Sequence, residues 1–424
     1  MGQQALEELQ LRKLRKQLAY LAEHSAFYRE KLSQAKMAPQ ELQCLDDLQA
    51  IPRTDKGEFR QHQRDIVCAS PKEVVDIGAT TGTTGEPLLL PASGADWDEL
   101  VEILTRGMHG LGLTDGDVFQ IAVAFDQLFS LGAPMDDALK NLGVTVVRTG
   151  PGNRRMQVEM MRRVGSTGIL ATPDYMQLLG QQAREMGYDP RQDFNLRLAL
   201  LVGHGLYTAE WKPNSLNRRV AETWGIEVYS DYGSMEMLAG FIECEEHGGH
   251  HVPADQIIVE ITDPETGRQL HSGEQGEVVV THLSRTGTPL LRFRQGDVAS
   301  MQTTPCTCGR TTPRVMAVLG RLDHALKVKG VTLYPDQIQE ALMSIPAVEA
   351  YVVEAHEDVG GDRFHVHIAC TQEVESVLKQ VRTKLKASLR VSPQVLEVAT
   401  QEEITERWFA RGTRKPQKFW DYRG

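Results

Sequence analysis

Apolar strand-like runs alternate with helical segments through the middle of this chain of 424 residues, and this alternation constrains the fold most. Strands are predicted at 119–124, 144–147, 169–172 and 198–202, and helices at 97–111, 135–142, after 173 up to 186, and around 220–224. Strands separated by helices usually pair in parallel. The region therefore predicts a largely parallel sheet.

Two further regions flank this one. A stripe of leucines predicts an amphipathic helix over 5–22. Runs rich in Val, Ile and Thr at 256–262, 276–283 and 288–301 predict an antiparallel sheet or a small distorted β-barrel. The tail predicts strands at 326–331, 349–354 and 363–370, and helices at 335–343 and 374–389. Because the chain is too long for one core, we predict an α/β protein with a large domain over 1–320 and a small α+β domain over 321–424.

The composition narrows the class of protein. The net charge is −11, from 46 basic and 57 acidic residues, which disfavours nucleic acid as a partner because such binders need a basic face. No apolar run approaches membrane-spanning length, and the first 30 residues lack the apolar core of a signal peptide. Six cysteines in a chain of this size do not make a disulfide framework. We therefore predict a cytoplasmic enzyme that does not bind membranes.

A loop rich in glycine and threonine follows an apolar run that ends at Ile77. Its glycines are Gly78, Gly82 and Gly85, and its threonines are Thr80, Thr81, Thr83 and Thr84. Glycines let backbone amides turn inward and hydroxyls add donors, so such a loop can wrap the oxygens of a phosphate. It is not a Walker loop, because no Gly-Lys-Ser/Thr ends it. A flexible surface turn is the alternative interpretation.

This loop is one of several motifs that occur in a fixed order along the chain. They are HSAFY at 24–28, ATTGTTGEP at 79–87, YSDYGSME at 229–236, DPETG at 263–267, GEQGE at 273–277, RFRQGD at 292–297 and GRLD at 320–323. With these motifs the chain resembles the adenylate-forming ligases, and among them the phenylacetate–coenzyme A ligase family, whose relatives include the coenzyme F390 synthetases. The resemblance covers essentially the whole chain. It implies a large adenylate-forming domain and a small mobile C-terminal domain.

The resemblance also implies the reaction. ATP activates a carboxylic acid, expected to be aromatic and phenylacetate-like, to an acyl-adenylate with release of pyrophosphate. The acyl group then passes to the thiol of CoA with release of AMP. The residues expected to bind the nucleotide are Thr80, Thr81, Gly82, Thr83, Thr84, Gly85, Asp231, Tyr232, Gly233, Ser234, Asp297, Arg321 and Asp323.

Individual roles follow from the same resemblance. Glu236 is expected to bind Mg²⁺ beside the α-phosphate, and Tyr232 to lie against the adenine. Asp297 is expected to accept hydrogen bonds from the ribose hydroxyls, with Arg321 supporting the same nucleotide. Carboxylates suit a hard cation or a diol, whereas hydroxyls and amides suit phosphate.

The two half-reactions imply two arrangements of the protein. In the family the small domain rotates between them, and Asp323 matches the hinge position. The lysine of the first half-reaction aligns with Lys415, where a cation would offset charge developing between the carboxylate and the α-phosphate. Lys418 is the alternative, and both lysines could instead be solvated residues of a frayed tail.

Cysteines and histidines form a further expected site. Cys306 and Cys308 are a close pair of thiols, and Cys244 precedes a histidine-rich stretch that ends at His251. Three cysteines and one histidine are an ordinary zinc ligand set. The resemblance, not the spacing, joins the two groups into a structural zinc site of Cys244, His251, Cys306 and Cys308. His247 and His250 are alternatives to His251.

The acid pocket is expected after the strand near residue 120. Its candidate residues are Phe125, Phe129, Gly132, Ala133 and His204. Pockets of this kind are mostly apolar. The alternative is that Phe125 and Phe129, four residues apart, pack into the core from a helix.

Several positions depart from the family pattern around the nucleotide. Glu86 stands where relatives usually carry Lys, Met235 replaces a hydroxyl residue, and Gln295 replaces Thr. Three alternatives therefore stay open: CoA ligation, adenylation with another acceptor (a carrier protein, an amine or an F390-type cofactor), and a catalytically weakened nucleotide-binding homologue. A homodimer is expected from the relatives.

Overall fold

The computed structural model describes residues 2–80, 87–126, 128, 131–357, 361–410 and 417–423. It divides into two compact units. The first comprises 1–204, 217–295 and 299–317, and the second comprises 205–216, 296–298 and 318–424. The predicted domain boundary at 320/321 stays a prediction.

Four α-helices, the first of them 22 residues long, open the first unit. They are α1 (Gln3–His24), α2 (Ala26–Gln34), α3 (Lys56–Gln61) and α4 (Gln63–Ile66), with 3₁₀ turns at Pro39–Glu41 and Leu45–Ala50. The leucine stripe of α1 is buried, as predicted for an amphipathic helix. Ser25 separates α1 from α2, because its hydroxyl accepts a hydrogen bond from the Tyr28 amide at 3.2 Å and so caps the second helix.

A six-stranded sheet forms the centre of the first unit. The elements in chain order are β1 (Val74–Ala79), β2 (Leu89–Ser93), α5 (Gly94–His109), β3 (Val118–Ile121), α6 (Gly132–Asn141), β4 (Thr145–Arg148), α7 (Arg154–Val164), β5 (Gly168–Ala171), α8 (Pro173–Glu185), β6 (Leu198–Leu201), α9 (Ser215–Trp224), β7 (Glu227–Ser234) and β8 (Ala239–Ile242). The strand order is β4-β3-β5-β6-β7-β8, and all neighbours pair in parallel except β7 and β8. The predicted parallel sheet is therefore confirmed.

The β-rich part of the first unit follows. Its strands are β9 (His250–His251), β10 (Ile257–Thr262), β11 (Gly276–His282), β12 (Phe293–Ala299), β13 (Met301–Gln302) and β14 (Arg314–Val315). β10 and β11 pair antiparallel, with β12 next in order, and β13-β14-β9 form a small separate sheet. The predicted antiparallel region is confirmed, although its third strand is shorter than the predicted 288–301.

A buried ion pair supports this region. Arg292 and Glu260 are 3% and 4% exposed at their side chains, and their two contacts measure 2.9 and 3.1 Å. Arg292 also donates to the carbonyls of Gln49 and Ile51 at 2.8 and 2.7 Å. The guanidinium therefore has partners for its charge and its donors, as a buried cation requires.

The second unit is a small α+β fold. Its elements are β15 (Gly320–Arg321), a 3₁₀ turn (Leu322–His324), β16 (Leu326–Val328), β17 (Val331–Leu333), α10 (Pro335–Met343), β18 (Val348–His356), β19 (Arg363–Cys370), α11 (Val374–Leu389), β20 (Val395–Val398), α12 (Gln401–Trp408) and β21 (Phe419–Asp421). The sheet order is β20-β19-β18-β21. Both predicted helices are confirmed at their predicted bounds.

One tail prediction is wrong. The strand predicted at 326–331 is a hairpin of β16 and β17 that turns at Lys329 and Gly330. Both residues have positive φ, 50° and 80°, which a continuous strand does not permit. Among the described residues, no helix combines the length and the apolar character needed to cross a bilayer.

Candidate nucleotide and metal sites

The glycine–threonine loop connects the antiparallel strands β1 and β2. Thr80 is buried at its start, where its hydroxyl accepts a hydrogen bond from the Leu88 amide at 3.0 Å, and its own amide donates to the Leu88 carbonyl at 3.1 Å. These two bonds hold the ends of the loop together. The other predicted loop residues, Thr81, Gly82, Thr83, Thr84 and Gly85, lie outside the described residues, as does Glu86.

Glu236 lies in the turn that joins β7 to β8. Its side chain is only 7% exposed, and its Oε1 is 2.6 Å from the ammonium of Lys56. In the same turn the Ser234 hydroxyl accepts from the Met237 amide at 3.1 Å and donates to Gln295 Oε1 at 2.9 Å. Gln295, one of the positions that depart from the family pattern, therefore orients the hydroxyl of Ser234, which lies two residues before Glu236.

Lys56 contacts a candidate site residue and was not predicted from the sequence. It is the first residue of α3, which Asp55 caps by accepting from the Glu58 amide at 2.8 Å. The capped helix start brings Lys56 to Glu236, far along the chain. The only signal in the sequence was a lysine directly after a capping aspartate, a pattern typical of many helices. The pairing shows that the position facing Glu236 accepts a positive charge.

The residues just before this turn are closely packed. A Cβ on Gly233 would lie 2.5 Å from the Ala239 carbonyl oxygen, so β8 approaches too closely for any side chain there. The Tyr232 ring is buried, with its centroid 5.9 Å from that of Phe241. Asp231 has a buried Oδ1 that finds no hydrogen-bond donor among the described residues, and burial raises the pKa of this carboxyl to about 7.

Three other predicted residues meet within the second unit. Arg321 and Asp297 are partners on neighbouring strands, and the Arg321 guanidinium lies 3.2 Å from Asp297 Oδ1. The same guanidinium lies 3.0 Å from Asp323 Oδ1. Burial raises the pKa of Asp323, but the charge and hydrogen bonds of Arg321 outweigh it, so the net shift is downward. One cation thus bridges the predicted ribose acid and the predicted hinge acid.

The two candidate lysines differ in what the structure describes. Lys415 lies outside the described residues. Lys418 is 9% exposed, and its ammonium lies 5.5 Å from the ring centroid of Tyr351 and 5.2 Å from that of Trp408. A cation held over two aromatic rings contributes to packing. This arrangement favours a structural role for Lys418, which is not a solvated tail residue.

The predicted acid-pocket residues are partly described. Phe125 is half-buried and packs against the core of the central sheet, but it precedes α6, so the alternative that placed it on a helix is wrong. At Gly132 a Cβ would lie 2.6 Å from the Ala124 carbonyl oxygen, and half-buried Ala133 follows it. Phe129 lies outside the described residues. His204 Nε2 is 3.4 Å from Asp174 Oδ2.

The four predicted metal ligands do come together. The ligand atoms of Cys244, His251, Cys306 and Cys308 all lie within 4.8 Å of one another. The sulfurs of Cys244 and Cys306 are 3.8 Å apart, and Cys308 Sγ is 3.6 Å from His251 Nε2. The two cysteines of the pair lie in a tight turn closed by the Cys306 amide, which donates to the Arg310 carbonyl at 2.9 Å.

The neighbouring histidines have other partners. His247 stacks on Tyr229 with centroids 4.6 Å apart, and its Nδ1 is 3.1 Å from Glu243 Oε2. His250 contacts the Ser230 hydroxyl at 2.6 Å and the Val315 carbonyl at 3.0 Å. Of the three histidines, only His251 therefore belongs to the cysteine cluster.

Electrostatics suit a metal at this cluster. Burial, together with Arg310 and Arg314, lowers the pKa of His251 to about 4, so its ring is neutral and keeps a lone pair at neutral pH. Burial raises the pKa of the Cys244 thiol to about 12. For Cys306 the upward effect of burial is outweighed by hydrogen bonds from Cys308 and Cys244, and the pKa is lowered. Without a metal, several neighbouring thiols cannot all be deprotonated, because the thiolates would repel one another. A divalent cation would stabilise them as thiolates.

Comparisons with known proteins agree with this architecture. The sequence profile of the AMP-binding enzyme family matches residues 3–284, and that of the AMP-binding enzyme C-terminal domain matches residues 330–423. The phenylacetate–coenzyme A ligase of Thermus thermophilus is 33% identical over 81% of this chain and 76% of its own length. That of Pseudomonas putida is 29% identical over 92% of this chain and 90% of its own.

A solved structure shows the same fold. The crystal structure of 2-hydroxyisobutyryl-CoA ligase in the postadenylation state superposes with a TM-score of 0.89 at 24% identity, covering 99% of this chain and 90% of that one. The predicted fold class, a large adenylate-forming domain with a small C-terminal domain, is confirmed. The chain belongs to the AMP-binding enzyme family, among the AMP-forming acid–coenzyme A ligases related to the phenylacetate–coenzyme A ligases.

Proposed function

We propose that this enzyme joins an aromatic, phenylacetate-like acid to CoA. In the first step a carboxylate oxygen attacks the α-phosphorus of ATP, the bond to the bridging oxygen of the β-phosphate breaks, and pyrophosphate leaves. In the second step the CoA sulfur attacks the acyl carbon and displaces AMP. The thiol proton leaves with the AMP phosphate or passes to solvent, and a thioester remains.

The observation that carries this proposal is the similarity to phenylacetate–coenzyme A ligases over more than four fifths of the chain. The apolar surroundings of Phe125 and the small residues Gly132 and Ala133 are compatible with a flat aromatic acid. Asp126, which is exposed on the same segment, offers a polar group for a ring substituent.

In this proposal the glycine–threonine loop and the turn between β7 and β8 bind the phosphates. The loop closed by Thr80 supplies amides and hydroxyls to the β- and γ-phosphates. Glu236 holds Mg²⁺, which offsets phosphate charge when bound; the ion pair with Lys56 supports this role, because the carboxylate is nearly buried and faces a positive charge. Ser234, oriented by Gln295, and the Tyr232 ring complete these nucleotide contacts.

Asp297, Arg321, Asp323 and Lys415 are proposed to have further roles in the reaction. Asp297 accepts hydrogen bonds from the ribose hydroxyls while Arg321 holds it in place. Asp323 provides the hinge, and Lys415 the cation for the first half-reaction. His204 lies beside Asp174 and is proposed to contact the nucleotide or the acid without transferring a proton.

The cysteine cluster is proposed to hold a structural zinc ion. Its donor set of three sulfurs and one nitrogen leaves no open position for a water nucleophile, so the ion would join the 244–251 stretch to the 306–308 turn.

The test is a screen for pyrophosphate release with ATP over a set of aromatic acids, run with and without CoA. We expect release with arylacetic acids, consumption of CoA, and formation of AMP. Silence over all acids with ATP bound would refute the proposal. Release without consumption of CoA would instead favour a carrier protein, an amine or a cofactor hydroxyl as acceptor. Cytoplasmic location and a homodimer remain predictions.

A further inference from the structure

A second cluster of metal-ligating side chains lies on the sheet of the second unit, away from the residues discussed above. Glu354 and His356 belong to β18, and His365 and His367 belong to β19. The ligand atoms of Glu354, His356 and His365 lie within 4.8 Å of one another. None of the motifs that carry the family resemblance includes these residues.

The strand register explains why the side chains meet. Glu354 is directly opposite His365 in the antiparallel pair, and His367 is opposite Val352. Side chains two residues apart on a strand share a face, so His356 and His367 lie on the same face as Glu354, on its two sides. The other end of this face is covered by α12, where Ile404 and Trp408 pack, while the histidine end stays open to solvent.

The three imidazoles converge on one oxygen. Glu354 Oε2 is 3.4 Å from His356 Nε2, 3.5 Å from His367 Nε2 and 4.0 Å from His365 Nδ1. Zinc bonds of about 2.0–2.1 Å place tetrahedral ligand atoms about 3.3 Å apart. The contact to His356 already has this spacing, and His365 needs a shift of well under an ångström.

Two ring nitrogens in the cluster lack hydrogen bonds. Nε2 of His356 and Nε2 of His367 are buried atoms with no hydrogen-bond partner in the described part of the chain. Buried polar atoms normally have partners, so such nitrogens point to a group that binds there. The side chains of Glu354, His356 and His365 are 18%, 33% and 26% exposed, which leaves a path from solvent.

Neighbouring groups orient the carboxylate. Arg407 on α12 lies 3.3 Å from Oε1 of Glu354, the oxygen that does not face the imidazoles. His356 stacks on Tyr422, with ring centroids 5.3 Å apart, and His367 Nδ1 is 3.6 Å from Glu397 Oε2. These contacts orient the side chains of Glu354, His356 and His367, as the hydrogen-bond and packing partners of metal ligands do.

We propose that Glu354, His356 and His365 form a binding site for a divalent transition cation of the zinc type, with His367 as a further imidazole whose Nε2 lies 3.5 Å from the same Glu354 oxygen. Two imidazoles and one carboxylate suit zinc and its neighbours better than Mg²⁺ or Ca²⁺, which prefer oxygen ligands. Three protein ligands leave a coordination position open to solvent. The site is independent of the cysteine cluster and of the proposed ligase reaction.

The experiment counts metal on the full chain. Wild type, the double variant His356→Gln/His365→Gln and the control His109→Gln/His271→Gln are stripped with a chelator, equilibrated with Zn²⁺, separated from free metal, and analysed for zinc per chain. The control removes two exposed histidines elsewhere. We expect one zinc fewer in the cluster variant than in both wild type and control. Equal zinc content in all three would overturn the proposal.

A spectroscopic measurement on wild type covers the case in which the double variant fails to fold. Protein preloaded with one equivalent of Zn²⁺ is titrated with Co²⁺. We expect visible d–d absorption without a near-ultraviolet thiolate charge-transfer band, since the cluster contains nitrogen and oxygen ligands only. Absence of added Co²⁺ absorption, or absorption with the thiolate band alone, would overturn the proposal. A Glu354→Gln variant should lose the d–d absorption and keep its secondary structure.

Discussion

The contact between Glu236 and Lys56 allows a sharp test of the proposed magnesium acid. The side chain of Glu236 is 7% exposed but that of Lys56 is 37% exposed, so solvent screens the 2.6 Å pair. A pair of this kind contributes at most about 1 kcal/mol to the free energy of unfolding. Glu236→Gln, which keeps the size of the side chain, should therefore change stability by no more than that.

The expected effect on the reaction is much larger. Loss of one preorganised group that stabilises charge at a reacting phosphate typically costs about 10²–10³-fold in rate, or about 3–4 kcal/mol. We expect Glu236→Gln to slow acid-dependent pyrophosphate release by that factor, with the transition in urea nearly unchanged. A variant that kept more than a tenth of the wild-type rate would refute the assignment of Glu236. A loss of several kcal/mol in stability would show that the acid is structural.

Lys56→Met and the double variant Lys56→Met/Glu236→Gln complete a double-mutant cycle. The ammonium of Lys56 competes with a cation for Glu236, so Lys56→Met should lower the Mg²⁺ concentration that gives half-maximal rate. The double variant should be no slower than Glu236→Gln alone, since both changes act on one carboxylate. An Mg²⁺ dependence identical to wild type in Lys56→Met would contradict the competition.

Three further predictions concern stability and metal content. Arg292→Leu should lower the free energy of unfolding in urea by about 3–5 kcal/mol, because it leaves the buried Glu260 carboxyl without its ion-pair partner, and Arg292→Leu/Glu260→Leu should recover part of it. Cys306→Ser should reduce bound zinc by one per chain and lower Tm, with the exposed Cys44→Ser as the unchanged control. Burial raises the pKa of Asp231 to about 7, so the folded state binds a proton that the unfolded state has released, and stability should fall as pH rises from about 4 to about 7. Asp231→Asn should remove this pH-dependent loss of stability, which is at most about 4 kcal/mol at pH 8. If the free energy of unfolding in urea changed with pH equally in Asp231→Asn and in wild type, the prediction would be contradicted.

Strands β5 and β6 of the central sheet could be predicted because they are apolar throughout. β5 and β6 are fully buried, and a strand covered on both faces has the continuous apolar run that the sequence displays. β7 was not predicted. Its Ser, Asp and Gly residues are typical of a loop, but pairing keeps the strand extended, in parallel with β6 over 227–230 and antiparallel with β8 over 231–234. The strand that carries the proposed nucleotide residues is thus the one whose local sequence least favours a strand.

The metal ligands show a different limit. The resemblance brought Cys244 and the 306–308 pair together, but it left three histidines open. His251 was the predicted ligand with His247 and His250 as alternatives, and the coordinates favour it because His247 and His250 have contacts with Glu243, Ser230 and Val315. Lys56 was missed for a similar reason, since a long-range ion pair leaves no local pattern.

The ion pairs of Arg321 with Asp297 and Asp323 explain why glycine stands at position 296 beside the proposed ribose site, and Tyr334 explains the glycine at position 320. Gly296 has φ of 78°, and a Cβ there would lie 3.0 Å from the Arg321 guanidinium, while a Cβ on Gly320 would lie 2.5 Å from that of Tyr334. A larger residue at position 296 would crowd the guanidinium that contacts Asp297, and one at position 320 would clash with Tyr334. With Arg321 between two carboxylates, the group has a net charge of −1 and not −2, which reduces its repulsion of a polyphosphate. The Gly-Asp and Gly-Arg pairs of the sequence are thus coupled: Gly296 permits the close approach of Arg321 to Asp297, and in the proposed site this arginine would offset the charge of an acid beside ATP.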